Sequence, residues 1–222
     1  SPEPMGPALA KDFPQVEAFV RTQKWGDVVV KKGNETIQDH NLGWVDSSFF
    51  KVFTLQMIHG DPATALSQPK SLVIDETTAR KYFNTTDVLG KTMEMNNTDL
   101  LKITGVIKDM PKQSHFHFHF LRPFVDLPYR NHDEWLSNDS QTFVLVKPGV
   151  SKEMLQEYVN TVVNTYLSKA LQFLFKQNVN DLKKQGNHFR YPVMPLTDIH
   201  LKSNKSYELE ANGDMSYVYI FS

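Results

Sequence analysis

Residues 71–120 read SLVIDETTARKYFNTTDVLGKTMEMNNTDLLKITGVIKDMPKQSHFHFHF. The apolar run 71–74 restarts the chain after Pro69-Lys70 and predicts a strand. Asp75 is placed to cap a helix over 75–83, with Glu76 at its positive end and Arg80-Lys81 near its negative end. Ala79, Tyr82 and Phe83 form the apolar stripe, and Asn84 suits a left-handed stop. Leu89-Gly90-Lys91 turns into a strand over 92–95, Asn96-Asn97 turns again, and 100–107 predicts another strand. The unit is β-α-β-β, it ends in alternating His and Phe, and it carries no catalytic signature.

On the N-terminal side, SPEPMGPALA (1–10) reads as a proline-rich tether. Asp12 caps an expected short helix over 13–20, with Val16, Phe19 and Val20 on one face. Residues 25–32 and 35–46 predict a hairpin turned at Gly33-Asn34. Phe49, Phe50 and Phe53 must be buried. Gly60-Asp61-Pro62 closes the apolar run 55–58.

On the C-terminal side, 142–147 predicts a strand turned by Pro148-Gly149. Ser151 caps a long helix with Met154, Leu155, Tyr158, Val159, Val162, Val163, Tyr166 and Leu167 at helical spacing, extending past Leu171 and Leu174 toward Val179. Residues 191–201 read as extended chain interrupted by proline. The order predicts an α+β protein with mixed sheets, its middle unit inserted into an outer one near Gly60 and Pro111.

Composition excludes several functions. The 24 basic and 25 acidic side chains balance to a net charge of -1, so no global field favours nucleic acid or anionic lipid. Lys31-Lys32 and Lys183-Lys184 are short enough to be solvated surface. With no cysteine there is no disulfide, thiolate metal site or thiol nucleophile, though this does not fix the compartment. No apolar run approaches the roughly 20 residues of a membrane-spanning helix, and no signal peptide is visible at the start. The closing aromatic run 217–222 reads either as an edge strand or as the interfacial start of a membrane helix.

Candidate chemistry is sparse. His115, His117 and His119 alternate with Phe116, Phe118 and Phe120, which on a strand puts three imidazoles on one face. A His-x-His pair can hold zinc or copper, yet no third ligand is fixed by spacing. The competing reading is a half-buried strand with phenylalanines inward and histidines outward. Asp198-Ile199-His200 resembles an acid–base pair without a nucleophile elbow, and a turn aspartate beside a surface histidine explains it equally. Asp75-Glu76, Asp109 and Asp133-Glu134 have simpler roles as caps or turns. The glycines are isolated, so no phosphate loop or dinucleotide fingerprint exists. Asn34, Asn84, Asn96, Asn138 and Asn204 begin Asn-x-Ser/Thr triplets to which no glycan is assigned. Trp44, Trp135, Tyr129 and Phe124 lie near expected loops, where they either pack in the core or line a groove between subdomains.

Taken in order, FFKVFTLQMIHGDPATAL, SLVIDETTARKYF, DVLGKTM, ITGVIKDMPKQSHFHFHFL, the segment 135–149, PLTDIHL and the closing run 213–222 resemble the extracytoplasmic core domain of MacB-like ABC transporter permeases, also called the FtsX-like permease family. The style is similar to members from Bacteroidota. The resemblance implies a two-lobed periplasmic domain: 1–60 and 112–185 porter-like, 61–111 and 186–212 sabre-like, and 213–222 returning to a membrane helix. It also implies a dimeric permease of the bacterial inner membrane, anchored on both sides of the domain. A separate cytoplasmic ATPase consumes ATP, and no cofactor belongs to the domain itself. Expected partners are a second permease subunit, that ATPase through the membrane part, and a periplasmic protein or peptide, but not nucleic acid. The family carries over no catalytic residue. The expected role is non-enzymatic: binding a partner or substrate and relaying ATP-driven motion, termed mechanotransmission. Two rivals stand beside it: a free-standing metal-dependent enzyme using the histidine strand, and a soluble ligand-binding protein with a groove lined by Trp44 or Trp135.

Overall fold

Apolar side chains stand at every second position along residues 16–20, at the start of the first long strand. The computed structural model describes residues 1–128, 134–177, 179–184, 186 and 189–199. In it, α1 (Met5–Asp12) leads into β1 (Val16–Lys32), where Val16, Ala18 and Val20 are buried and Glu17 is exposed. The helix expected over 13–20 is therefore strand. Val16 and Val20 fit both periodicities, and pairing with β8 (Gln141–Val146) from Val16↔Val146 to Thr22↔Gln141 selects the period of two.

The expected tether 1–10 is also corrected. Pro4 is the N-cap of α1 and Pro7 falls in its first turn, where no backbone N–H is needed. Met5, Ala8 and Leu9 are buried. Gly6 lets the helix approach β1, since a Cβ there would stand 2.6 Å from the Phe19 ring.

β1 turns at Gly33-Asn34 into β2 (Glu35–Val45), in register from Thr22↔Val45 to Lys32↔Glu35. A short α2 (Phe49–Val52) and β3 (Met57–Gly60) precede β4 (Ser71–Asp75), α3 (Glu76–Phe83), β5 (Thr92–Met95) and β6 (Asp99–Ile107). β7 is Phe120–Pro123. The helical run from Ser151 comprises α4 (Lys152–Val162), a π-helical turn Val163–Leu167 and α5 (Ser168–Phe175). It stops at left-handed Lys176 instead of continuing to Val179, and α6 (Val179–Lys184) is separate.

Among the described residues eight strands form one mixed sheet in the order β2-β7-β4-β6-β5-β1-β8, with β1 returning to pair β2 and β3 on β6. β2–β7 and β4–β6 are parallel and the other pairings antiparallel, the α+β architecture expected. Hydrogen-bonded pairing is continuous across Gly60 and Pro111, since β3 and β4 both pair β6 and β7 joins β4 to β2.

Three apolar clusters result among the described residues. The first packs Val28, Leu42, Leu72, Ile74, Ile103 and Phe120 with Ala79 and Tyr82 of α3. The second gathers Phe49, Phe53, Phe116 and Phe118 against Val73 and Leu121. Its rings pack at centroid distances of 4.9 Å for Phe53–Phe116 and 5.1 Å for Phe49–Phe53. The third joins α1 to α4 and α5 around Leu9, Val16, Val162 and Leu167. No helix among the described residues is long and apolar enough to cross a membrane.

Candidate functional site

The His/Phe run is extended, but only Phe120 of it enters a strand. The expected alternation of burial holds: Phe116, Phe118 and Phe120 are buried and the three histidines half-buried. The histidines engage different partners. His119 Nδ1 lies 2.6 Å from Asp75 Oδ2, and a ring nitrogen of His117 lies 2.9 Å from the Pro111 carbonyl. Among the described residues, no three His, Cys, Asp or Glu side chains are grouped to hold a metal ion.

Of the aromatics expected near loops, the described ones, Trp44, Trp135 and Phe124, are core residues. Trp135 stacks on Tyr166 at 5.4 Å within the third cluster. Phe124 and Trp44 are buried in the first. Asp198 ends a short 3-10 turn, Leu196–Asp198, and His200 and Tyr129 lie outside the described residues.

Trp44 is nonetheless part of a cleft of about 360 Å³. The β1–β2 hairpin supplies Trp25, Asp27, Leu42 and Trp44; the β5–β6 turn supplies Asn96 and Asp99; β7 and the chain after it supply Arg122, Asp126 and Pro128. Strand register assembles it: Trp25 pairs with Leu42, Leu42 with Phe120, and Trp44 with Arg122. Midway along the hairpin, Asn41 adopts a left-handed conformation (φ 65°), and its carbonyl accepts the His119 N–H at 3.0 Å.

Arg122 is the cation among the described lining residues of the cleft. It is 5% exposed, and its guanidinium carbon lies 4.3 Å from the centre of the Trp44 ring. Nη1 donates to Asp99 Oδ2 at 2.6 Å, and Nη2 lies 3.8 Å from Asp126 Oδ2. A buried cation is tolerable only with such partners. At the rim, Asp27 accepts from Gln38 at 2.7 Å and lies 2.6 Å from His40 Nδ1. Trp25 meets Trp44 edge-on at 6.2 Å. Arg122 is a site residue that motif reading misses, because one arginine inside FLRPF has no spacing signature. Its position in an apolar run was the available signal.

Beside the cleft, Asp39 of β2 receives Lys81 Nζ and Tyr82 Oη, each at 2.8 Å, and so docks α3. Burial pushes the Asp39 pKa up, but hydrogen bonds from Lys81, Tyr82 and the His40 N–H outweigh it and hold the carboxyl below its usual range. Burial and the facing carboxylate push the Tyr82 phenol up.

Known proteins share this architecture. The structure matches a domain described as that of a permease protein from Porphyromonas gingivalis with a TM-score of 0.65 at 26% identity, covering 78% of this chain and 73% of that one. The periplasmic region of MacB from Actinobacillus actinomycetemcomitans matches with a TM-score of 0.53 at 16% identity, over 84% of this chain and 83% of that one. The extracellular domain of the ABC-type transporter YknZ from Gram-positive bacteria matches at 0.51 and 17% identity, over 80% and 86%. At those lower identities the last two speak for the fold alone. No curated protein matches the chain in sequence. The sequence profile of the MacB-like periplasmic core domain covers residues 1–162, and the chain belongs to that family.

Proposed function

We propose that this domain is non-catalytic and works as a relay on the outer side of a bacterial inner membrane. In this reading it is anchored by membrane helices of a dimeric MacB/FtsX-type permease. It binds a periplasmic protein or peptide and passes on movement driven by a cytoplasmic ATPase. The observation that carries the relay is β1. This one strand of 17 residues pairs with β8 over its first part and with β2 over its second. At about 3.3 Å per residue it spans roughly 55 Å. In this reading a displacement of the third cluster, built on α1, β8 and α4, is carried along β1 to the hairpin that bears Trp25 and Trp44. Packed cores and sheets transmit such displacement as rigid bodies.

The location is tested by labelling. The domain contains no cysteine, so an introduced Glu17→Cys at an exposed position reports on it alone. In the full permease, freed of any other cysteine, a membrane-impermeant maleimide is expected to label this site in cells with an opened outer membrane and an intact inner one. Labelling only after the inner membrane is lysed overturns the reading.

A further inference from the structure

We infer that the cleft around Trp25, Trp44 and Arg122 takes an extended segment of a partner protein carrying a lysine or arginine side chain, an inference that rests on the partner-binding reading above. Three features select this chemistry. First, among the described lining residues the carboxylates of Asp27, Asp99 and Asp126 outnumber the one guanidinium of Arg122, a balance that repels anions and attracts a cation. Second, Trp25 is 42% exposed at the rim. An accessible indole face next to carboxylates binds an ammonium or guanidinium group through its ring quadrupole. Third, two of the lining residues carry a donor without an acceptor among the described residues, the Nε–H of Arg122 and the indole N–H of Trp44; both are enclosed, so a ligand reaches them by displacing the side chains over them. Those side chains are 5% and 3% exposed.

Buried donors require acceptors. A carboxylate would be repelled by the three aspartates, whereas the carbonyl of a peptide backbone is a neutral acceptor. One basic residue and its adjoining carbonyl answer both requirements, and about 360 Å³ suits a ligand of that size.

The test is an NMR titration of the whole 222-residue chain, which contains three tryptophans and hence three indole N–H signals. Trp135, stacked in the third cluster, serves as the internal control. The probes are a capped glycine–serine octapeptide with one central lysine and its counterpart with glutamate. The lysine peptide is expected to shift the Trp25 and Trp44 signals saturably at millimolar concentration and to leave Trp135 in place. The glutamate peptide is expected to bind at least about tenfold more weakly, and Trp25→Ala or Asp27→Asn to weaken the lysine peptide about tenfold. Both substitutions are at exposed positions, which keeps the fold intact. Unmoved Trp25 and Trp44 signals, equal binding of both peptides, or unchanged affinity in both variants overturns the inference. Any of these removes the cleft from the account without bearing on whether the domain moves with ATP, which is measured separately in the membrane.

Discussion

The carboxylate of Asp75 serves His119 and the start of α3 at once: Oδ2 lies 2.6 Å from His119 Nδ1, and Oδ1 accepts the Thr78 N–H at 2.7 Å. Asp75 is 3% exposed, so the His/Phe segment is fastened to the helix through a buried charge.

This pair makes stability depend on pH. The hydrogen bond to Asp75 raises the His119 pKa; burial opposes it, and the charges of Asp75, Asp39 and Asp109 reinforce it. A raised pKa means the folded state holds the proton more tightly. The stabilisation is complete below the unfolded value of about 6.5 and is lost as pH rises through the folded value. Urea unfolding is expected to show lower stability at pH 9 than at pH 6, with a smaller difference in His119→Gln. An unchanged difference in the variant contradicts the assignment. Asp75→Ala loses cap and partner together and is expected to cost about 2 kcal/mol.

Asp39 acts in the opposite direction. Its carboxyl is held low, so its contribution is present above the ordinary aspartate range, about 3.9, and is lost as pH falls through the lower folded value. Tyr82→Phe removes one of its donors and is expected to destabilise the domain by about 1 kcal/mol at pH 7. The loss should shrink under acid, as measured by unfolding at pH 7 and at pH 3.

Arg122 should resist replacement. Arg122→Met leaves Asp126, whose side chain is 11% exposed, without its cation and is expected to cost about 3 kcal/mol or more. Arg122→Lys keeps the charge but loses the planar stack on Trp44 at 4.3 Å and the paired geometry, so it should recover less than half of that loss. Thermal unfolding of both variants checks the order.

Gly43, next to Trp44 in β2, is required by a close approach rather than by a turn. A Cβ there would stand 2.8 Å from the Phe118 ring, which is 1% exposed. Gly43→Ala is expected to cost about 1–3 kcal/mol by overpacking. Adding Phe118→Leu should relieve part of it, a coupling that a double-mutant cycle measures.

The contrast between α3 and β1 explains what was legible in the sequence. The start and end of α3 are local: the Asp75 cap and left-handed Asn84 (φ 60°) stand where short-range reading puts them. The hairpin at Gly33 and the turn at Asn96-Asn97 are local in the same way. Val16 to Val20 had no local arbiter, and its partner β8 lies more than a hundred residues away. The prolines of α1 read as breakers because only the burial of Met5 and Leu9 against the third cluster makes a helix there worthwhile. The cleft was half legible. Trp44 could be singled out as an aromatic to explain, but Arg122, Asp99 and Asp126 meet only through the parallel register of β2 with β7 and the turn into β6. The family resemblance, which depends on the order of many ordinary segments, survived these local errors.

Movement of the hairpin with the ATP cycle tests the relay most directly. A spin label on Glu35→Cys, an exposed residue at the hairpin tip, places one probe on each subunit of the permease dimer. With the ATPase present in nanodiscs, the inter-subunit distance distribution by pulsed electron resonance is predicted to shift between the nucleotide-free and ATP-trapped states. The same shift should be absent when the ATPase cannot bind ATP. A distribution that stays the same in both states contradicts the account.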